Sequence, residues 1–180
     1  MIREFEVIVV GAGHAGVEAA YASAKMGHET ALVTSDANKI AVLPCNPSVG
    51  GLGKGHIVYE VSALGGLMPK LCSKTYLQAR TLNTRKGPAV QGLRVQIDKP
   101  VYSKLAKEIL LKTPNLTIVE ETVEELLVEN INGKKVIVGV GCLSGEKIKA
   151  KSVVITSGTF LNGVVYIGKD KYSAGRRGEA

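Results

Sequence analysis

The sequence predicts an α/β chain of the doubly wound Rossmann type, carrying a small antiparallel β-meander. Three observations carry that expectation. An apolar run at 5–10 ends on Gly11-Ala12-Gly13-His14-Ala15-Gly16, a G-x-G-x-x-G turn. A helix-spaced apolar set and a second apolar run follow within about 30 residues, the length of a parallel strand–helix–strand unit. Farther on, Asn132-Gly133 separates two strand-like runs, a strong hairpin signal.

Taken in order, residues 5–10 read as a buried parallel strand. Val17, Ala20, Tyr21 and Ala24 recur at helical spacing, and Gly27 stops that helix. Residues 30–33 read as the second strand. Residues 36–95 then break the rhythm, with four of the six prolines and the glycine groups Gly50-Gly51, Gly53 with Gly55, and Gly65-Gly66. Within them, 54–64 fits one amphipathic helix with Ile57, Val61 and Leu64 on a single face. The remainder shows little regular structure, which at this length marks a functional insertion such as a lid or binding loop. Residues 98–112 read as a helix with Val101, Leu105, Ile109 and Lys112 in register and Pro100 tolerated in its first turn. A third parallel strand is expected at 116–119, the hairpin at 126–130 and 136–140, and a last buried strand at 150–156.

The 180 residues amount to one domain's worth of chain, globular in composition at 45% hydrophobic and 22% charged. No apolar run is long enough for a transmembrane helix, and the N-terminus lacks a signal-peptide pattern. Cys45, Cys72 and Cys142 are odd in number and widely spaced, which argues against a disulfide framework or zinc site and for a cytoplasmic protein. The net charge of +7 is concentrated. Residues 74–112 hold nine basic residues against Asp98 and Glu108, while the segments on either side are nearly neutral. Such a block fits a polyanion partner, or equally a solvated helix face with scattered lysines.

The three glycines of the first turn serve different ends. One permits the tight turn, one lets the backbone approach a pyrophosphate, and one allows close helix–strand packing. The free amides and dipole of the following helix then hold the anion. His14 reads as a spacer donating to backbone or phosphate rather than as a catalytic base. The carboxylate that usually binds the adenosine ribose is replaced by Thr34, with Asp36 as a substitute candidate. Cys45 precedes a glycine-rich loop leading into a helix, where backbone amides and Lys54 could stabilise a thiolate or an anionic substrate such as RNA. Such a cysteine could act as a nucleophile; the alternative is a small buried hydrophobe.

A meander followed by a strand ending Thr156-Ser157-Gly158-Thr159 resembles FAD-dependent two-dinucleotide-fold oxidoreductases. That resemblance implies FAD, with Gly158 passing the cofactor and the Val123 amide touching its adenine. Five stretches resemble one family more narrowly: G-A-G-H-A-G; P-C-N-P-S-V-G-G-L-G-K-G-H from Pro44 to His56; A-L-G-G-L-M; L-N-T-R-K-G-P-A-V from Leu82 to Val90; and G-T-F-L-N-G from Gly158 to Gly163. The chain is identified by them as similar to the MnmG or GidA family, the flavoprotein subunit of the tRNA uridine 5-carboxymethylaminomethyl modification system.

The family resemblance implies FAD, NADH as reductant, methylenetetrahydrofolate as one-carbon donor, and glycine or ammonium as the amine. It further implies tRNA with its wobble uridine modified at C5, a GTPase partner, and a homodimer in the full-length form. Cys45 is then the thiol that attacks uridine or manages the one-carbon intermediate. Arg85, Lys86 and Arg94 contact RNA phosphate or flavin, or form ordinary structural pairs, and Lys104, Lys107 and Lys112 form a solvated face. Members of the family are several times longer. Residues 1–180 are therefore expected to be a Rossmann-type FAD-binding domain truncated before its sheet closes, ending at Gly178-Glu179-Ala180 and inactive in isolation. The competing readings are a stand-alone dinucleotide-binding module or another flavin-dependent oxidoreductase. A flavin disulfide reductase is disfavoured because Cys45 has no redox partner, and the folate-dependent tRNA uridine methyltransferase is disfavoured by the P-C-N-P and K-G-P-A-V stretches.

Overall fold

A computed structural model describes residues 3–175; the expected end at Gly178-Glu179-Ala180 lies outside the described residues. Strand β1 (Arg3–Val10) runs into helix α1 (His14–Lys25), and β2 (Thr30–Thr34) returns parallel to β1 with Val10 beside Val33. Gly27, at φ +93°, ends the helix as its position implies.

The insertion is more regular than its glycines and prolines predict. A 3₁₀ turn (Ala37–Lys39) leads to strand β3 (Ser48–Gly50), helices α2 (Lys54–Ala63) and α3 (Leu67–Thr75), and strands β4 (Tyr76–Leu82) and β5 (Gly92–Ile97). Strands β3, β5 and β4, in that order, form a separate antiparallel sheet. The expected inward face of α2 is also corrected. Ile57 and Leu64 are 62% and 89% exposed, whereas Gly55, Val58, Tyr59 and Ser62 face the small sheet. The sheet, invisible to local periodicity, lies on the side opposite the apparent apolar stripe.

Helix α4 (Lys99–Leu111) starts at Asp98, whose carboxylate accepts the Val101 amide. Its buried face is Tyr102, Ala106 and Leu110, with Leu105 and Ile109 at the flank. Val101, expected inside, is exposed because the stripe is centred on the large Tyr102 ring.

Strand β6 (Leu116–Glu120) pairs parallel to β2. Strands β7 (Val123–Ile131) and β8 (Lys134–Cys142) form the expected hairpin, with Asn132 and Gly133 both at positive φ as a type I′ turn requires. Strand β9 (Lys147–Ile155) is antiparallel to β8 and parallel to β1. The main sheet order is β6-β2-β1-β9-β8-β7. A last hairpin, β10 (Val164–Ile167) with β11 (Asp170–Ser173), was not expected from the sequence.

The parallel part, β6-β2-β1-β9, has the Rossmann order, and its direction of winding reverses between β1 and β9. Helices α1, α3 and α4 cover one face through Val17, Tyr21, Leu71, Tyr102 and Leu110 packed near Val9 and Leu32. On the other face, Ile8, Ala31, Val33 and Val119 pack with Val140, Cys142 and Ile148 from the meander side. No helix among the described residues is long and apolar enough to cross a membrane.

The insertion is locked to the first βαβ unit by one carboxylate. Glu18 of α1 accepts the amides of Leu67, at 2.9 Å, and Met68, so it caps α3 from a different element. Gly66 lies against that carboxylate, and a Cβ there would come 2.7 Å from Glu18 Oε2. The A-L-G-G-L-M stretch therefore has a structural role: it delivers an open helix N-terminus to Glu18.

Candidate nucleotide cleft and thiol loop

The carboxyl ends of β1, β2 and β9 open onto a cleft of about 460 Å³. It lies where open α/β sheets bind ligands, outside the strand ends at the reversal of winding. Gly11 makes the turn at φ +98°, and an added Cβ would lie 2.6 Å from the Thr156 carbonyl oxygen. Gly16 packs behind it, where a Cβ would collide with the Gly11 carbonyl. Thr156 fastens the same turn, its hydroxyl donating to the carbonyls of Val10 (2.8 Å) and Gly11 (3.0 Å).

These contacts leave α1 starting at Gly13 with no side-chain cap. Its first amides have no partner within the helix and meet the positive end of the helix dipole, the arrangement that receives a phosphate. The expected residues Gly11, Ala12, Gly13, His14, Thr34, Val123 and Gly158 all line the cleft. Ala15 is exposed on the first turn of α1 and Gly16 is buried beneath it, so both shape the turn without forming the cleft wall.

Asp36 is committed elsewhere. Its carboxylate accepts the Asn38 amide at 2.8 Å and lies 3.7 Å from Lys39, capping the 3₁₀ turn. Thr34 keeps its place on the cleft wall. His14 stacks its ring edge on Tyr102 at 5.8 Å, and its Nε2 is buried without a hydrogen-bond partner. Burial pushes its pKa down, against the opposing charge of Glu18. That environment favours a neutral, packed imidazole.

The cleft wall also holds Ser35, Lys39, Pro44, Glu121, Thr122 and Phe160, which sequence reasoning did not assign to it. Pro44 and Phe160 lie in the family-like stretches, Ser35 beside Thr34, and Glu121 and Thr122 directly after the third strand, whereas Lys39 carries no sequence signal. Lys39 and Pro44 reach it because the chain folds back after β2, where the Ala41 amide donates to the Ala12 carbonyl at 2.9 Å.

Cys45 sits in that returning loop, next to the cleft-lining Pro44, and is exposed. The small-buried-hydrophobe alternative does not describe it. It does describe Cys72 and Cys142, both buried. Burial pushes the Cys72 thiol up to about 11 and raises that of Cys142, so both stay protonated near neutrality.

Lys54, Arg85, Lys86 and Arg94 lie outside the cleft wall, all on the insertion and all exposed. Arg85 and Lys86 sit in the β4–β5 connection. Its shape is fixed by Asn83 Nδ2 donating to the Val90 carbonyl and Gln91 Nε2 donating to the Lys86 carbonyl.

A second cavity, about 320 Å³, lies between the small sheet and helices α2 and α3, lined by Val58, Tyr59, Cys72, Leu93 and Val95. It is apolar and has no anion-binding turn, so the cofactor reading belongs to the glycine-turned cleft. No group of three His, Cys, Asp or Glu that could hold a metal occurs among the described residues.

Comparison with known proteins gives a consistent result. The family model described as glucose inhibited division protein A matches residues 6–180. A tRNA uridine 5-carboxymethylaminomethyl modification enzyme MnmG from Thermodesulfovibrio yellowstonii is 51% identical over 98% of this chain. The protein of the same name from Helicobacter hepaticus is 53% identical over 96%. The chain spans 28% of the length of each relative. The solved structure of Aquifex aeolicus GidA superposes with a TM-score of 0.90 at 46% identity, covering 98% of this chain and 28% of that one.

Proposed function

The chain belongs to the glucose inhibited division protein A family, and from that premise we propose that its cleft holds FAD within an enzyme that modifies C5 of the wobble uridine in tRNA. The observation that carries this reading is an exposed thiol, Cys45, next in the chain to a wall of the glycine-turned cleft. Residues 1–180 are assigned to the FAD-binding unit and residues 36–95 to its functional insertion. The activity is proposed for the full-length protein.

The residues present fit the cofactor. The uncapped amides that follow Gly11, Ala12 and Gly13, from His14, Ala15 and Gly16, would hold the pyrophosphate, and added side chains at Gly11 or Gly16 would close the turn. The Thr34 hydroxyl would bond the ribose, the Val123 amide the adenine, and Gly158, at φ +74°, lets the chain pass the cofactor closely. FAD, when bound and reduced by NADH, would supply redox chemistry beside the uridine, and methylenetetrahydrofolate would supply the one carbon.

Cys45 acts on the uridine. Its thiolate forms a bond to C6 of the pyrimidine, and the C5–C6 electron pair shifts onto C5 and the C4 carbonyl, which makes C5 the nucleophile. C5 then bonds the methylene carbon of methylenetetrahydrofolate as that carbon's bond to one folate nitrogen breaks. Loss of the C5 proton and expulsion of the thiolate restore the ring, and the amine replaces the second folate nitrogen, which leaves with the amine's proton. Glycine or ammonium provides the amine, and Lys54, Arg85, Lys86 and Arg94 provide positive charge for RNA phosphate. A GTPase partner, a homodimer and a cytoplasmic location complete the assignment.

The test is direct. The full-length protein should purify with a visible flavin band, or acquire one on addition of FAD. Cys45→Ser should keep that band while modified-nucleoside formation falls at least about a hundredfold. A protein that never binds flavin overturns the cofactor, and normal modification by Cys45→Ser removes the thiol from the chemistry.

A further inference from the structure

The insertion's small sheet has two unlike faces, as alternation along its strands requires. Toward α2 and α3 it presents Val49, Ala79, Leu93 and Val95, which line the apolar cavity. The opposite face carries two polar rungs and, beyond them, Leu82 beside Gly92. One rung aligns Ser48, Gln96 and Gln78 across β3, β5 and β4; the next aligns Gly50, Arg94 and Arg80.

Arg80 and Arg94 are therefore directly opposed on neighbouring strands, and both are exposed. Opposed residues hold their Cβ atoms about 4.5–5.5 Å apart, and like charges in that position destabilise a sheet. Among the described residues, no carboxylate lies within ion-pair distance of either guanidinium. The two acids of this segment are placed elsewhere: Asp98 caps α4 and Glu108 lies on that helix.

We propose that this outer face is a phosphodiester platform for the tRNA substrate, on which Arg80 and Arg94 hold one phosphate jointly. The inference rests on the tRNA reading above and names its contact surface, including Arg80, which motif reasoning passed over. Two planar guanidiniums on adjacent strands match the two non-bridging oxygens of one phosphate, and the anion relieves their repulsion. Gln78, Gln96 and Ser48 on the next rung offer neutral donors and acceptors to sugar and phosphate oxygens. Arg85 and Lys86, in the connection at the Leu82–Gly92 end of the same ladder, extend the positive strip. These rungs carry no aromatic ring, so the platform grips backbone rather than stacking bases.

The experiment uses the full-length, FAD-loaded protein with Arg80→Gln, Arg94→Gln, the double variant and, as a control on α4, Lys104→Gln. Binding of the substrate tRNA is measured over a range of salt concentrations, with flavin absorbance and Tm recorded for each variant. Each single arginine variant should weaken tRNA binding about tenfold and lower the salt slope by about one, and the double variant should lose little more than either single. Tm should hold or rise, because a repulsion is removed.

Unchanged affinity in both single variants overturns the platform, as does an equal loss in Lys104→Gln, which would make the attraction diffuse. Additive losses in the double variant overturn the shared phosphate. Weakened capture of an acidic partner protein with intact tRNA binding also overturns the proposal. Missing flavin with the expected tRNA losses would instead refute the cofactor reading and leave the platform standing.

Discussion

The first βαβ unit and the insertion both depend on glycine and both carry anion-binding potential, yet they build it from different material. In the βαβ unit the positive charge is backbone: Gly11 and Gly16 let the chain turn tightly enough to leave the first amides of α1 uncapped. In the insertion the charge is side chain, displayed on the outer face of a small antiparallel sheet. A backbone site holds a ligand of fixed shape with little to reorganise. A side-chain site on an open sheet tolerates a long, variable polyanion. On the proposed reading, one chain separates a cofactor site from a substrate surface by choosing which part of the residue carries the charge.

The largest expected effect tests the backbone half. Gly16→Ala places a methyl group against the Gly11 carbonyl and 2.6 Å from Thr156 Oγ1. Neither can retreat, since Thr156 is hydrogen-bonded to both Val10 and Gly11. The cost should be roughly 3 kcal/mol, read as a fall in Tm and loss of the flavin band. Gly13→Ala is the matched control for Tm alone, because an added Cβ there meets no protein atom within 4 Å, although it would face the cofactor. If both variants lower Tm alike, the turn is not held by close packing and the contrast between the two regions fails.

A middle-sized effect separates the cysteines of the insertion by pH. Burial pushes the Cys72 thiol up to about 11 from an ordinary value of 9, so the folded protein holds that proton longer than the unfolded chain does. Its contribution to stability is complete below pH 9 and is lost as the pH rises through 11. Wild type should therefore lose more Tm than Cys72→Ala between pH 9 and 11. In native protein at neutral pH, iodoacetamide should label Cys45 well ahead of Cys72, which is 7% exposed. Equal labelling of the two would mean that the insertion opens readily and is a mobile lid rather than a packed unit.

The same contrast governs what the sequence disclosed. The Gly11–Gly16 turn, the Asn132-Gly133 hairpin and the parallel strands were legible because each is encoded within a few neighbouring residues. The small sheet was not, since Ser48 pairs with Gln96 across almost fifty positions and no local period records that pairing. Without the sheet in view, local spacing turns Ile57, Val61 and Leu64 inward, whereas the packed side of α2 is Gly55 and Val58. In the site, Cys45 and Thr34 stood out by motif and position. Lys39 did not, because it reaches the cleft through a fold-back. The clasp of Thr156 on Val10 and Gly11 was not legible although its turn was, since it joins positions more than 140 residues apart.

The smallest expected effect concerns the one place where motif logic and geometry name different residues. By analogy with other dinucleotide sites, a carboxylate at the end of β2 should hold the ribose, which points to Asp36. The geometry gives Asp36 another occupation, capping the Ala37–Lys39 turn through Asn38 and pairing with Lys39. Asp36→Asn retains a side-chain oxygen able to cap, so FAD affinity should stay within about threefold and Tm should barely move. Thr34→Val removes the hydroxyl on the cleft wall and should weaken FAD by about fivefold, one neutral hydrogen bond's worth. Titration of both variants by flavin fluorescence decides between them. A loss of tenfold or more in Asp36→Asn, with Thr34→Val unaffected, would move the ribose contact to a side-chain charge and blur the division between a backbone-built cofactor site and a side-chain-built substrate surface.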